Sequence, residues 1–336
     1  MSWIIVSATS NPYINAATEE YLLKHFDSNN EPIIYLWQND NTIVVGRNQN
    51  VFKEINLAAV QADAVNLFRR FSGGGTVYHD MGNLNYTFID KSSVNKPNNY
   101  ATLAEPIIAF LKSLGVNASF KGRNDLEIDG MKFSGNAQYV YQDKLLHHGT
   151  LLFNLDFSKL MKYLNVDMTK LQAKGIDSVR KRVTNIADHL PENNKITIQE
   201  FTEKLRDWFI HQNQAKPLVL DEQAHAWIKE RAQTHFSTWE WNYAQLDETL
   251  FRNKKRFDGG SVELYLNVQD GLIKSIKFAG DFLSTKDLDE IYDKFINQRY
   301  MLDQISQVLD TIDLPAYFGS ITKENLLELM FDNGTE

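Results

Sequence analysis

The sequence predicts an α+β protein in two units: a large one in which strands and helices intermix, then a small α+β one. Three observations carry this. Apolar residues switch repeatedly between a period of two and a period of about 3.6, without internal repeats or low-complexity tracts. The regular pattern then lapses across "STWEWNYAQLDETLFRNKKRFDGG" (237–260). Beyond the lapse "SVELYLNV" (Ser261–Val268) and "LIKSIKFAG" (Leu272–Gly280) flank "QDG", whose Asp270-Gly271 favours a tight hairpin turn. The boundary is expected around Tyr243–Thr249, which divides the chain into residues 1–246 and 247–336.

Each element has a local reason. "WIIVSAT" (Trp3–Thr9) reads as a strand. Asn11 is placed to cap a helix with Pro12 at its first position, and Ile14, Ala17, Tyr21 and Leu22 recur at helical spacing, so a helix is expected from Pro12 to about Phe26. "PIIYLW" (Pro32–Trp37) and "TIVVG" (Thr42–Gly46) read as a hairpin across "QNDN". A short helix near Lys53–Asp63 leads into the strand "AVNLFRR", which delivers two arginines to a run of three glycines. "TVYH" and "LNYTFI" resume as strands, a helix covers Ala101–Leu114, and a dense β region runs from about Asn117 to Asn154. Helices are expected to dominate Asp156–Arg231, interrupted by the polar stretch Gln172–Thr184.

Composition narrows the function. The chain has 336 residues, 43% hydrophobic and 23% charged, enough to bury a large core and too apolar for disorder. No run approaches the roughly 18 apolar residues of a membrane span. The opening "MSWIIVSATSNPY" lacks the basic and apolar regions of a signal peptide, so the sequons at Asn85, Asn117 and Asn333 carry little meaning. A formal net charge of −8 argues against a general nucleic-acid binder. Cysteine is absent, which excludes disulfides, thiolate metal ligands and thiol nucleophiles and fits a reducing, cytoplasmic setting.

Four stretches carry chemistry. In "FRRFSGGGTVYHDMGNLNYTF" (Phe68–Phe88), Gly73, Gly74 and Gly75 form either a loose hairpin loop or a backbone that closes on a ligand. In the second case freed amides curl into an anion-binding nest, with Arg69 or Arg70 adding full charge. In "GRNDLEIDGMKFSGNAQY" (Gly122–Tyr139), Asp129-Gly130 is a two-residue hairpin turn. That turn sets Ile128 opposite Met131 and Leu126 opposite Phe133 on an apolar face, with Glu127 opposite Lys132 and Asp125 opposite Ser134 on a polar one. Lys132 is then either half of an exposed cross-strand pair or part of a cleft wall. In "LLHHGTLLFN" (Leu145–Asn154), adjacent strand residues face opposite ways, so His147 and His148 are not expected to chelate one metal, and Gly149 suggests a close approach. "QAKGIDSVRKRVTNI" (Gln172–Ile186) is a basic island, either a solvated loop or a flap over a polyanion. Neither G-x-x-x-x-G-K-[ST] nor G-x-G-x-x-G is present, so P-loop NTPases and Rossmann dehydrogenases fit poorly.

In their order and spacing these stretches, with "WQNDNTIVVGRNQN" (Trp37–Asn50), resemble the lipoate–protein ligase A family. The resemblance covers the first three-quarters of the chain, and the remainder looks like the family's small accessory domain. It implies a fold related to biotin ligases and class II aminoacyl-tRNA synthetases, a large mixed β-sheet with flanking helices. It implies that lipoate and Mg·ATP form lipoyl-AMP and pyrophosphate. The lipoyl group then passes to a lysine of a lipoyl domain of 2-oxo acid dehydrogenase complexes or of the glycine cleavage H protein. Carried over by position, Arg70 matches an adenylate-binding arginine, and Gly75, Thr76, Val77 and Tyr78 a segment running along the nucleotide. The Gly73–Gly75 run lets the main chain close on the acyl-adenylate. Lys132 matches an essential lysine between the lipoate carboxyl and the α-phosphate. His79, Asn83, His148 and Gly149 fall in pocket-lining motifs. Gly175 and Arg180 belong to a loop that orders over the adenylate. The resemblance assigns no residue to the magnesium. Related acyltransferases work through a cysteine thioester, a route this chain lacks. A non-catalytic paralogue that only binds lipoate or a lipoyl domain is the alternative.

Overall fold

The computed structural model describes residues 2–91, 98–164, 182–243, 251–269 and 271–331. Its centre is an eight-stranded mixed sheet. In spatial order the strands are Ala215–Pro217 (β11), Ser2–Val6 (β1), Ile33–Trp37 (β2), Asn83–Asp90 (β6), Lys144–Leu152 (β10), Met131–Tyr141 (β9), Asp125–Ile128 (β8) and Ala118–Lys121 (β7). β1 lies parallel to both β11 and β2, and the remaining pairs are antiparallel.

Both faces of the central strands are covered, so their alternation is apolar on either side. On one face Leu36, Leu84 and Leu151 pack with Phe110 of the helix Tyr100–Ser113 and with Phe201 and Phe209 of the helix Ile198–Asn213. On the other, Ile33, Tyr35 and Leu146 meet Ala17, Leu22 and Leu23 of the helix Pro12–Lys24 (α1). α1 starts where expected: the Asn11 side chain accepts the Tyr13 and Ile14 amides at 3.0 and 3.2 Å, which satisfies two donors the helix leaves open.

A second sheet orders Asn66–Arg69 (β4), Thr42–Val45 (β3) and Val77–His79 (β5), with β4 parallel and β5 antiparallel to β3. This corrects the expected hairpin of Pro32–Trp37 with Thr42–Gly46. Each of the two strands is wholly buried, so each needs its own neighbours, and the chain passes from one sheet to the other through Asn41 at φ 41°.

The C-terminal residues form a third sheet, Phe251–Phe257 (β12), Gly260–Gln269 (β13) and Leu272–Gly280 (β14), covered by short helices around a core containing Leu264, Phe278, Phe318 and Leu326. β12 was hidden in the sequence because "RNKKR" puts charge on both of its faces. β11 was missed as well; it is three residues long and ends in proline. Most of the Gln172–Thr184 stretch and of the Tyr243–Thr249 boundary lies outside the described residues.

Candidate functional site

Two arginines with opposite roles leave β4, because successive residues of a strand point to opposite sides. Arg69 is fully buried and ties the chain together: its guanidinium donates to the carbonyls of Gly46, Arg47 and Gln49 at 2.9, 3.0 and 2.7 Å and to that of Asn242 at 3.0 Å. Burial, reinforced by Arg47 and Arg70, pushes it down to about 9. Arg70 turns the other way into the glycine loop. Its Nη2 donates to the carbonyls of Gly73 and Gly75 at 2.8 and 2.7 Å, and its Nε donates to Ser72 Oγ at 3.1 Å. Burial lowers it to about 10, still a full positive charge at neutral pH.

The loop that Arg70 braces forms the rim of a pocket open to solvent. Its apolar lining is Trp37, Val44, Phe68, Val77 and Ala137, and its polar lining includes Glu19, Arg70, His79, Asn85, Asn124, Lys132, Asn136 and His148. Gly74, Gly75, Thr76, Gly149 and Thr150 bring backbone and small side chains to the lining. Three candidates are not among the lining residues. Gly73 lies against the C-terminal unit, where a Cβ would come within 2.7 Å of the Phe282 carbonyl. Tyr78 is buried on the far side of β5, its hydroxyl donating to Asn41 at 3.1 Å. Asn83 is buried at the start of β6 and donates to Asn85 at 3.0 Å. Gly175 and Arg180 lie outside the described residues.

Lys132 reaches the pocket through an irregularity. The turn forms as expected, with Asp129 at φ 53° and Gly130 at φ 76°, and Glu127 faces Lys132. Beyond that pair Leu126 faces Ser134 and Asp125 faces Gly135, not Phe133 and Ser134 as the uniform hairpin requires. A bulge at Phe133 accounts for the shift, since two residues of β9 then oppose one of β8. Phe133 keeps its place in the core beside Leu126 and Ile128. The Lys132 ammonium pairs with Asp125 at 2.7 Å and not with Glu127. On its other side, the Lys132 amide donates to the Arg182 carbonyl at 2.7 Å, and its carbonyl accepts from Thr184 at 2.9 Å.

The two histidines of β10 part as their alternation requires. His147 faces the core, stacked on Phe88 at 6.2 Å. His148 faces the pocket, Nδ1 on Glu19 Oε1 at 3.0 Å and Nε2 on Ser72 Oγ at 2.6 Å. Glu19, from α1, also accepts the Thr87 hydroxyl at 2.7 Å. A continuous chain of hydrogen bonds thus runs from Thr87 through Glu19, His148 and Ser72 to Arg70. His79 is buried, and burial first, then Arg70 and His148, push it down to about 3, so the ring is neutral. Its Nε2 has no partner among the described residues. Glu19, Asn124 and Asn136 escaped the sequence reading. Asn124 and Asn136 sit inside a quoted motif, whereas Glu19 carried no signal, being one acid among several on a helix.

The fold is that of an α+β protein with a large mixed sheet, and its pocket is lined by both apolar side chains and the cations Arg70 and Lys132. Comparison with known proteins agrees. A family described as the lipoyl protein ligase A/B catalytic domain matches residues 11–210, and the bacterial lipoate protein ligase C-terminus matches residues 248–330. A "Probable lipoate-protein ligase A" of Mycoplasma pneumoniae is 46% identical over 336 residues, covering 99% of this chain and 98% of that one. The "Lipoate-protein ligase LplJ" of Bacillus subtilis is 37% identical, covering 96% and 97%. Among solved structures, P. falciparum LipL1 in complex with lipoate superposes with a TM-score of 0.77 at 27% identity, covering 93% of this chain and 95% of that one. The chain belongs to the lipoate–protein ligase family.

Proposed function

We propose that the protein activates lipoate with ATP and transfers the lipoyl group to a lysine of an acceptor protein. The observation that carries this reading is one pocket lined both by apolar side chains, Trp37, Val44, Phe68, Val77 and Ala137, and by the cations Arg70 and Lys132. The alkyl chain and dithiolane lie against the apolar side chains, and the carboxylate comes to rest near Lys132. Its oxygen attacks the α-phosphorus of ATP, the bond to pyrophosphate breaks, and lipoyl-AMP remains. That step brings two anions together, so fixed positive charge must offset their repulsion as charge builds on the phosphate oxygens. Lys132 supplies it beside the reacting atoms. Arg70 supplies it at the rim while holding Gly73 and Gly75 in place, and Gly75, Thr76 and Val77 lie alongside the nucleotide. His79 Nε2, neutral and buried, is a ready hydrogen-bond partner for the ligand. His148 and Gly149 line the pocket, Tyr78 supports β5 from behind, and Asn83 holds the lining residue Asn85.

In the second step the acceptor amine attacks the acyl carbonyl and AMP leaves, so neither step needs a protein nucleophile. We assign catalysis to residues 1–246 and an accessory role to 247–336, with Gly175 and Arg180 closing over the adenylate. Among the described residues no group of three or more histidines and acids could hold a metal alone. Magnesium would be carried on the nucleotide's phosphates, with at most one or two protein carboxylates. Bound there, magnesium would offset phosphate charge. Lipoyl domains of 2-oxo acid dehydrogenases and the glycine cleavage H protein are the proposed acceptors, in the cytoplasm. No helix among the described residues is long and apolar enough to cross a membrane. The test is lipoate-dependent exchange of labelled pyrophosphate into ATP. Exchange is expected, and its absence with lipoate bound would leave only the binding paralogue.

A further inference from the structure

Asp125 is an acid paired with the lysine at the centre of the ligase chemistry. Its carboxylate lies 2.7 Å from the Lys132 ammonium, and both side chains are about one-third exposed. Three features hold the pair together. The bulge at Phe133 shifts the register so that Asp125 stands opposite Gly135. A Cβ at Gly135 would lie 3.0 Å from Lys132 Nζ and 3.1 Å from its Cε, so the absent side chain is what lets the lysine lie back across β9 toward Asp125. Asn124, next to Asp125, is locked to Asn136 by reciprocal bonds: the Asn124 side chain donates to the Asn136 carbonyl at 2.5 Å, and the Asn136 side chain to the Asn124 carbonyl at 3.0 Å. The carboxylate is therefore fixed, while the ammonium rides on a flexible four-carbon stem.

We propose that Asp125 is a positioning residue that holds Lys132 in a resting place at the edge of the pocket and yields it to the nucleotide. This rests on the ligase reading, in which Lys132 serves the α-phosphate. A partly exposed ion pair is weak, and a triphosphate offers the same ammonium several negative charges at once. The lysine thus changes partners when ATP enters and stays with Asp125 when a singly charged carboxylate enters alone. Asp125 acts as a competitor for Lys132: the fraction of enzyme with its lysine parked lowers the apparent affinity for ATP by that fraction.

The test is a double-mutant cycle read by calorimetric ATP binding, on the full chain without lipoate. Asp125→Asn keeps the shape of the side chain and removes its charge, and should tighten ATP binding by about two- to fivefold, the range of a partly exposed pair. The same substitution in a Lys132→Ala background should change ATP affinity far less, because no lysine remains to be released. An equal gain in both backgrounds would show simple repulsion of the phosphates by Asp125 and overturn the proposal. Weaker ATP binding by Asp125→Asn, or none of the expected gain, would overturn it too while leaving the ligase reading intact. Failure of the unaltered protein to bind ATP at all would remove both.

Discussion

At the scale of single residues, Lys132 separates stability from activity. It is partly exposed, its one ion pair among the described residues is with Asp125, and its backbone bonds do not depend on the side chain. Lys132→Ala should therefore cost less than about 1 kcal/mol of stability. Adenylate formation should fall by at least about 10²–10³-fold, the usual loss when a group that stabilises developing charge is removed. Lys132→Arg should also be poor, since a planar fork does not replace a compact point charge between two oxygens. Rates of lipoyl-AMP formation with unfolding midpoints check both, and near-normal rates would mean that the pair with Asp125 is merely structural. The Asp129-Gly130 turn fixes which face Lys132 takes, but by itself it left an exposed pair with Glu127 open, and the family resemblance singled the lysine out. Its true partner was not legible, because the bulge answers to how Phe133 packs in a core assembled from several other elements. From the residues alone Arg69 and Arg70 were indistinguishable as neighbours, the resemblance chose Arg70, and the placement of β4 makes Arg69 an internal brace.

Among elements, β10 shows most plainly what alternation can and cannot disclose. Period two assigns His147 and His148 to opposite faces, as observed. It does not say which face carries the pocket, since both are covered by helices. The core side has a measurable consequence. Burial, with a smaller contribution from His148, pushes His147 down to about 3, whereas in the unfolded chain it titrates near ~6.5. Between those values the unfolded chain holds a proton that the folded one lacks. The stability that depends on a neutral His147 is thus complete above about pH 6.5 and is lost as pH falls toward 3. Urea midpoints measured from pH 7 to pH 4 should decline less steeply for His147→Asn than for the unaltered protein. Parallel declines would remove His147 from the acid response. The mistaken β2–β3 hairpin has a related origin: two apolar runs joined by a polar turn look alike whether they pair or part, and parting was decided by β1, β6, β4 and β5 arriving from elsewhere in the chain.

In the whole molecule, the C-terminal unit rests on the rim of the pocket. The Gly74 amide donates to the Phe282 carbonyl at 3.0 Å, and the Gly280 amide to the Asn48 carbonyl at 2.9 Å. Arg47 pairs with Asp287 at 2.6 Å while its guanidinium stacks over Trp241 at 4.6 Å. Part of the glycine run therefore exists to let two backbones meet. A Cβ on Gly73 would lie 2.7 Å from Phe282 O and from Ser284 N, main-chain atoms with little room to yield. Gly73→Ala should lift the C-terminal unit from the loop and raise the radius of gyration in small-angle scattering, with secondary structure retained. Identical scattering would mean that the loop deforms instead. Sequence reasoning foresaw that a backbone comes close at these glycines but put a ligand there alone. The contact joins segments some 200 residues apart, and no local pattern encodes it.

The buried Arg69 bears on where the first unit can be cut. Asn242 donates nothing to Arg69 but accepts twice from it, through its carbonyl at 3.0 Å and its side-chain oxygen at 2.8 Å, while the Trp241 indole donates to the Arg69 carbonyl at 2.8 Å. A fragment that stopped before Trp239 would leave a positive charge in the interior with part of its cage missing and water admitted beside the strand that carries Arg70. The smallest self-sufficient version of the pocket therefore extends through Asn242, 29 residues past the end of the helix Ile198–Asn213, although no described residue after that helix is part of the pocket's lining.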